Sequence, residues 1–152
     1  MHLKARILYL LGETYWRIFK PLGWGVRLML IQDGAVLLVW HTYRPGWFLP
    51  GGGLKRGETF EAAARREACE EAGADLGELQ FWGLYSYLKG AKSDHVVYYL
   101  CEDFRLNGQT DFEIADCRFF PLTELPPDIS NGAKKLLHEY LQGDHQPTVG
   151  TL

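Results

Sequence analysis

Two apolar runs, Val26–Ile31 and Ala35–His41, flank Gln32-Asp33-Gly34. An Asp-Gly pair between such runs is a strong β-hairpin signal, because both residues tolerate the positive φ of a tight turn. The second run is apolar almost throughout, which predicts a strand covered on both faces. Something must therefore be layered on each side of the hairpin. Thr59 to Ala72 reads as one covering helix, with Thr59 as N-cap, Gly73 past its end and no proline inside. Ala133 to Leu141 reads as a second, capped by Ser130 or Asn131 after the Pro126-Pro127 break. Leu79–Leu88 and His95–Phe104 read as long strands around the polar turn Lys89–Asp94. Trp47–Leu49 is a short extended piece and Cys117–Pro121 a last short strand, with Pro50-Gly51-Gly52-Gly53 and Asn107–Asp111 as loops. Strands and helices interleave irregularly, so the expected class is mixed α/β with a partly antiparallel sheet.

The 152 residues suit a single domain, placed here over 21–143. Leu3, Ile7, Leu10, Leu11, Tyr15, Ile18 and Phe19 recur at helical spacing, which predicts an amphipathic helix over 1–20. That helix has three available roles: packing on the domain, meeting a second copy in a homodimer, or lying on a membrane surface. Residues 144–152 read as a frayed tail. The apolar run Ile7–Leu11 is too short for a signal peptide, and no run of about 18 apolar residues predicts a transmembrane segment. A net charge of −3 argues against a basic nucleic-acid-binding surface. Cys69, Cys101 and Cys117 form no CxxC pair, which fits reduced thiols and a cytoplasmic setting.

The chemistry is concentrated in Gly52 to Ala74. Glu67, Glu70 and Glu71 stand at i, i+3 and i+4, so one helix face carries three carboxylates. Their repulsion requires neutralisation. Arg66 is offset by about 100° around the helix and is expected not to neutralise the cluster by itself, while Glu58 is placed to hold and orient Arg66. An oxygen-only cluster suits Mg²⁺ or Mn²⁺. Ala63 and Ala64, one turn earlier, allow the helix to lie close to the glycine loop. Gly51, Gly52 and Gly53 allow backbone to approach a cation or a phosphate. Together these features point to metal-assisted displacement at a phosphate of a small anionic substrate. Chance supplies Gly52, Glu58, Arg66, Glu67, Glu70, Glu71 and Gly73 at this spacing roughly once in a million such chains.

This segment resembles the Nudix box, G-x5-E-x7-R-E-U-x-E-E-x-G-U with U aliphatic, and every fixed position matches. Ala68 and Ala74 fill the two U positions, where larger aliphatics are usual. The order of elements extends the resemblance, which is to MutT-like Nudix hydrolases, over roughly residues 24 to 142. It implies an α/β/α sandwich. It also implies hydrolysis of a nucleoside diphosphate linked to some moiety X, by attack of a metal-bound water on phosphorus. It places Mg²⁺ or Mn²⁺ on Glu67, Glu70 and Glu71, with the Gly51 carbonyl as a further ligand. The base in such enzymes is a box glutamate or an acid on a downstream loop, for which Glu113 is the candidate here.

The strand before the box ends in Trp40-His41, where many relatives carry a phosphate-binding arginine. Arg44 or Arg27 is the expected substitute, and His41, Trp47, Gly52 and Gly53 complete the candidate substrate contacts. Trp47 and Phe48 are placed either to stack a base or to fill the core. The proline and tyrosine that mark ADP-ribose and dinucleoside-polyphosphate hydrolases are missing near Lys89-Gly90-Ala91, so X stays open. Two other readings compete with the hydrolase: a Nudix-fold nucleotide sensor that does not cleave, and an RNA-end pyrophosphohydrolase, which the acidic pI disfavours.

Overall fold

A computed structural model describes residues 22–89, 92–143 and 146–152. The helix expected over 1–20 lies outside them, as does the tip of the polar turn at 90–91. In chain order the elements are β1 (Leu22–Gln32), β2 (Ala35–His41), β3 (Trp47–Phe48), α1 (Phe60–Ala72), β4 (Ala74–Leu76) and β5 (Gln80–Lys89). They continue with β6 (Lys92–Cys101), β7 (Phe104–Leu106), β8 (Ile114–Pro121), α2 (Asn131–Gln142) and β9 (Thr148–Thr151). The class is mixed α/β, as the residue pattern predicts.

Asp33 and Gly34 both take positive φ, and the β1–β2 hairpin closes on the pairs Gln32↔Ala35 and Ile31↔Val36. Beyond that turn the two strands diverge. β1 runs parallel to β6, β6 antiparallel to β5, and β5 parallel to β9. β2 pairs antiparallel with β3 and with β8. A separate two-stranded ribbon joins β4 and β7.

Strand alternation divides the core in two. Val26, Leu28, Leu30 and Leu37 face α1, where they meet Ala63, Ala64, Ala68 and Ala72. Met29, Ile31, Val36 and Leu38 face the other way and pack with Leu136 and Leu137 of α2. Each fully buried Leu or Val contributes about 1.5–3 kcal/mol. The alanine stripe of α1 adds little area, but it lets the helix axis sit close to β1. Its ends are fixed by the Thr59 hydroxyl accepting from Ala62 N–H and by Gly73 at φ 58°.

The residues of Pro50–Leu54 run along the free edge of β1. Val26 N–H donates to the Gly52 carbonyl and Leu28 N–H to the Pro50 carbonyl, both at 2.9 Å. Leu54 N–H donates to the Trp24 carbonyl at 3.0 Å. The start of α2 is tied to β3, since Trp47 N–H donates to Asp128 and Ser130 N–H to Trp47. Ser130, rather than Asn131, is the N-cap.

Three differences from the expected pattern have physical causes. β1 begins at Leu22 and runs through Gly23 and Gly25, residues of low strand propensity that parallel pairing with β6 holds extended. The β4–β7 ribbon is made of three-residue strands, too short for periodicity to register. The segment expected to be frayed contains β9, which pairs through its backbone with Gly83–Ser86 of β5 although most of its side chains are exposed.

Candidate active site

The alanine stripe and the docked glycine loop bring one edge of α1 against Gly51–Gly53. A cleft of about 540 Å³ opens there, lined by acids and bases from four parts of the chain. Glu67, Glu70 and Glu71 come from α1 and Arg27 from β1. Tyr43 and Arg44 come from the turn after β2, and Asp111 and Glu113 from the loop before β8. Lys55 and Arg66 complete the rim.

Arg66 does more than its position on the helix suggests. Its Nε and Nη2 donate to the two oxygens of Glu58 at 2.6 and 2.9 Å. Its Nη1 reaches Glu67 Oε1 at 2.5 Å and Glu70 Oε2 at 3.1 Å, and Nη2 also donates to the Gly53 carbonyl. Arg66 thus reaches two of the three box glutamates despite its offset on the helix, but it does not touch Glu71, and one cation shared with Glu58 does not neutralise the cluster by itself. A long arm lets the guanidinium fold back over the next turn, and Glu58 fixes the direction of its fork. Glu58 is held at about 2 by the Arg66 hydrogen bonds first and by the Lys55 N–H second.

Glu71 has a different environment. It is 8% exposed and accepts one hydrogen bond, from Gly51 N–H to Oε2 at 2.8 Å. Its Oε1 lies 3.7 Å from His41 Nδ1. Burial pushes its carboxyl up to about 7, against the pull of the Gly51 N–H, Arg27 and Arg44. His41 is held down to about 4, by burial first and then by Arg44 and Arg27, so it is neutral at pH 7. Arginine can only donate, so His41 Nε2 accepts from Arg44 Nη2 at 3.0 Å. That places the imidazole proton on Nδ1, on the side of Glu71.

His41 is 1% exposed and lies behind the cleft, outside its lining. Its expected substrate contact is thus replaced by a link between Arg44 and Glu71. Its titration predicts a stability effect. Between pH 4 and 6.5 the unfolded chain holds a proton on this imidazole that the folded chain has released, so this contribution to stability rises with pH across that window and is lost on acidification. Melts of cation-free protein should show the wild-type advantage over His41→Gln growing from pH 4 to 6.5 and flat above. A pH-independent difference would contradict the buried neutral imidazole.

Trp47 takes the core role, the second of its two expected alternatives. It is 8% exposed and packs in the core against Trp40 and Phe120 at 5.4 and 4.7 Å between ring centroids. Alternation along β3 turns its neighbour Phe48 outward instead, and the Arg44 guanidinium lies 3.7 Å from that ring's centre. His95 is engaged with Ser86 Oγ at 2.9 Å and stacks beside Trp24.

Arg27, Arg44, Gly52, Gly53 and Glu113 all reach the cleft. Arg27 Nη1 and Arg44 Nε are buried and, among the described residues, accepted by no hydrogen-bonding group. Two guanidinium groups lining one cleft suit an anion. Tyr43, Lys55 and Asp111 line the cleft without having been singled out in the sequence. Asp111 carried a signal, since it lies two residues before Glu113 in the same polar loop. Its N–H is pinned to the Glu70 carbonyl at 2.7 Å.

The donors available for a cation are carboxylates and backbone carbonyls. Gly51, whose N–H is held by Glu71, has a carbonyl with no hydrogen bond seen among the described residues, while those of Gly52 and Gly53 are engaged by Val26 and Arg66. This oxygen-only set suits a hard divalent ion. Glu71, buried with no cation in hydrogen-bonding contact, is the strongest point of the fit. Among the described residues no three acids, histidines or cysteines already converge on one point, because Glu67 and Glu70 face Arg66.

Residues 21–140 match the family model of the NUDIX domain. MutT4 of Mycobacterium tuberculosis (strain CDC 1551 / Oshkosh) is 32% identical over 102 residues, which are 61% of this chain and 40% of that protein. The chain thus spans well under half the length of that curated relative. The crystal structure of a MutT Nudix hydrolase from Burkholderia pseudomallei superposes with a TM-score of 0.71 at 23% identity, over 78% of this chain and 97% of that one. A Nudix hydrolase from Nitrosomonas europaea gives 0.72 at 20% identity, over 84% and 93%. At these identities the two structures speak for the fold.

Proposed function

The chain belongs to the Nudix family, and from that premise we propose that it hydrolyses a diphosphate linkage in a small nucleotide-like substrate, a nucleoside diphosphate joined to a moiety X. The observation that carries this reading is the meeting of two opposite chemistries in one cleft. Three box glutamates, two of them buried, line the cleft together with Arg27 and Arg44. A diphosphate needs both, cationic donors for its oxygens and acids that hold a cation against it.

Glu67, Glu70, Glu71 and the Gly51 carbonyl are the groups that would hold Mg²⁺ or Mn²⁺. Bound there, the ion would neutralise phosphate charge and make water a better nucleophile. Arg27 and Arg44 would bind and orient the phosphates, with the Gly52-Gly53 backbone beside them. Arg66, fixed by Glu58, would hold Glu67 and Glu70 in place. Glu113 and Asp111 line the same cleft, with Asp111 tied by its N–H to the Glu70 carbonyl of α1, and Glu113 is our candidate base. In the reaction the water oxygen bonds to phosphorus, the bridging P–O bond breaks, and the base takes the water's proton.

The sensor reading is disfavoured by the same three glutamates, since binding alone does not require a buried, cation-demanding carboxylate. Among the described residues no helix is long and apolar enough to cross a membrane. The test is a product-release screen with Mg²⁺ or Mn²⁺ against NTPs, 8-oxo-dGTP, ADP-ribose, NADH, nucleotide sugars and dinucleoside polyphosphates. Turnover of one class, lost on chelation, is expected. Tight binding of a nucleotide with no turnover of any would favour the sensor.

A further inference from the structure

The helix α1 covers only part of its side of the sheet. Its alanines lie over Val26, Leu28 and Leu30 of β1 and Leu37 of β2. Strand alternation carries the same side outward across β6, β5 and β9. In one row Leu22 and Leu88 flank Ser93, and in the next Trp24 and Ser86 flank His95. Val26, Val97, Leu84 and Val149 form a third row. Leu28 and Tyr99 form a fourth, where the Phe81 ring packs on Tyr99 at 6.3 Å between centroids. Contacts agree with this facing, since Trp24 meets Phe60 of α1 on one side and His95 on the other, at 5.8 and 4.9 Å between centroids.

Beyond α1 these rows form an open strip with apolar side chains on it. Phe81, Trp24, Leu22, Leu88 and Val149 are all exposed, from 43% for Phe81 to 73% for Val149. Several large apolar groups exposed together on one sheet face mark a place where something packs. The strip is one helix wide. Two strand spacings of about 4.8 Å lead from β1 across β6 to β5. That matches the roughly 8–10 Å between the axes of packed helices. A helix lying beside α1 would therefore rest over β6 and β5.

We propose that the occupant is this chain's own segment 1–20, docked as the amphipathic helix that its sequence predicts. The segment joins the described fold at Leu22, which belongs to the first row of the strip. Leu3, Ile7, Leu10, Leu11 and Tyr15 offer the apolar stripe that the strip would bury. From Leu3 to Tyr15 that stripe is roughly 20 Å long at 1.5 Å per residue. The four rows span about the same length at 3.3 Å per residue, and residues 16–21 remain to make the turn into β1. A second copy or a membrane surface must compete with a segment tethered at the edge of the strip, whose effective concentration there is on the order of millimolar.

Thiol accessibility in the full chain tests this. Val149→Cys puts a thiol on the strip, and the native Cys69, exposed on α1, serves as the internal reference. Iodoacetamide labelling is followed at both positions by peptide mass spectrometry. Relative to Cys69, the strip thiol should react about tenfold or more slower than it does once Ile7→Asp and Leu11→Asp break the stripe. Arg6→Asp, off the stripe, should keep the protection, and the protection should not change with protein concentration. Circular dichroism and melting report on folding, and Leu88→Cys, also on the strip, repeats the test should Val149→Cys not fold. A strip thiol that reacts equally fast with and without the two aspartates would overturn the proposal. Protection that appears only when two copies associate, or only with phosphatidylserine vesicles, would also overturn it and give the strip to a second copy or to a membrane.

Discussion

Glu71→Gln is expected to cut turnover at least tenfold, about 1.4 kcal/mol in the barrier, while making the cation-free protein more stable at alkaline pH. Both effects follow from one buried carboxyl. Its folded value is raised to about 7 from the ordinary 4.5, chiefly by burial, with Gly51 N–H, Arg27 and Arg44 acting in the opposite direction and Glu67 adding repulsion. From pH 4.5 to 7 the folded chain therefore holds a proton that the unfolded chain has released. Stability falls as pH rises through that window, and above it the charge stays buried at full cost. Glutamine keeps the shape and can still accept from Gly51 N–H, but carries no charge. The expected gain at pH 8 is on the order of 1–3 kcal/mol, read from melts in chelator. Glu70→Gln supplies the contrast. Its side chain is 41% exposed and shares the Arg66 guanidinium with Glu67 and Glu58, so it should lose turnover to a similar degree without the alkaline gain. Near-wild-type rates in both variants would sink the assignment of a cation site to these glutamates. An unchanged alkaline melt for Glu71→Gln would sink the buried-charge account.

The contrast between the two glutamates was not legible in the sequence, although the glutamates themselves were. The i, i+3, i+4 spacing puts three acids on one helix face, but exposure depends on what lies opposite. The glycine loop and His41 lie over Glu71, while Glu70 faces solvent and Lys55. The hairpin and both helices were legible because each carries a local rule: Asp33-Gly34 for the turn, Thr59 and Ser130 for the caps. β9 was not, because its pairing with β5 is a long-range backbone event that Thr148-Val149-Gly150-Thr151 does not advertise. The burial of His41, and the choice between core and stacking for Trp47, were not legible for a related reason. Both are polar or aromatic residues near the box, and only the folded sheet shows that they are buried. The reach of Arg66 to Glu67 and Glu70 was not legible because a helical-wheel angle describes Cβ, whereas a guanidinium acts some distance beyond it.

Three glycines of the box region should respond to alanine in three different ways. Gly51→Ala should cost about 3–5 kcal/mol or prevent folding, the largest effect expected of any single methyl group here. Gly51 sits at φ +138°, and a Cβ would lie 2.2 Å from the Val26 carbonyl oxygen and 2.9 Å from Arg27 Cα. Both are backbone atoms of β1, so nothing at the end of a flexible side chain can yield. Relief requires the loop to lift from the strand, which breaks the bonds of Val26 N–H to Gly52 and Leu28 N–H to Pro50 and withdraws Gly51 N–H from Glu71. Gly52 has no positive φ, and its Cβ would meet the Glu67 carboxylate at 2.5–2.7 Å. A carboxylate can swing aside, so Gly52→Ala should fold within about 1 kcal/mol of wild type yet lose turnover about tenfold or more as Glu67 is displaced. Gly57 has φ +85° and open space around it, so its alanine variant should lose only the conformational term, about 1 kcal/mol, with turnover retained. Denaturant melts and initial rates on the three proteins separate backbone contact, carboxylate displacement and φ strain. If Gly51→Ala melts with Gly57→Ala, the loop does not lie against β1 as closely as the hydrogen bonds require, and the cleft those bonds support is wrongly built.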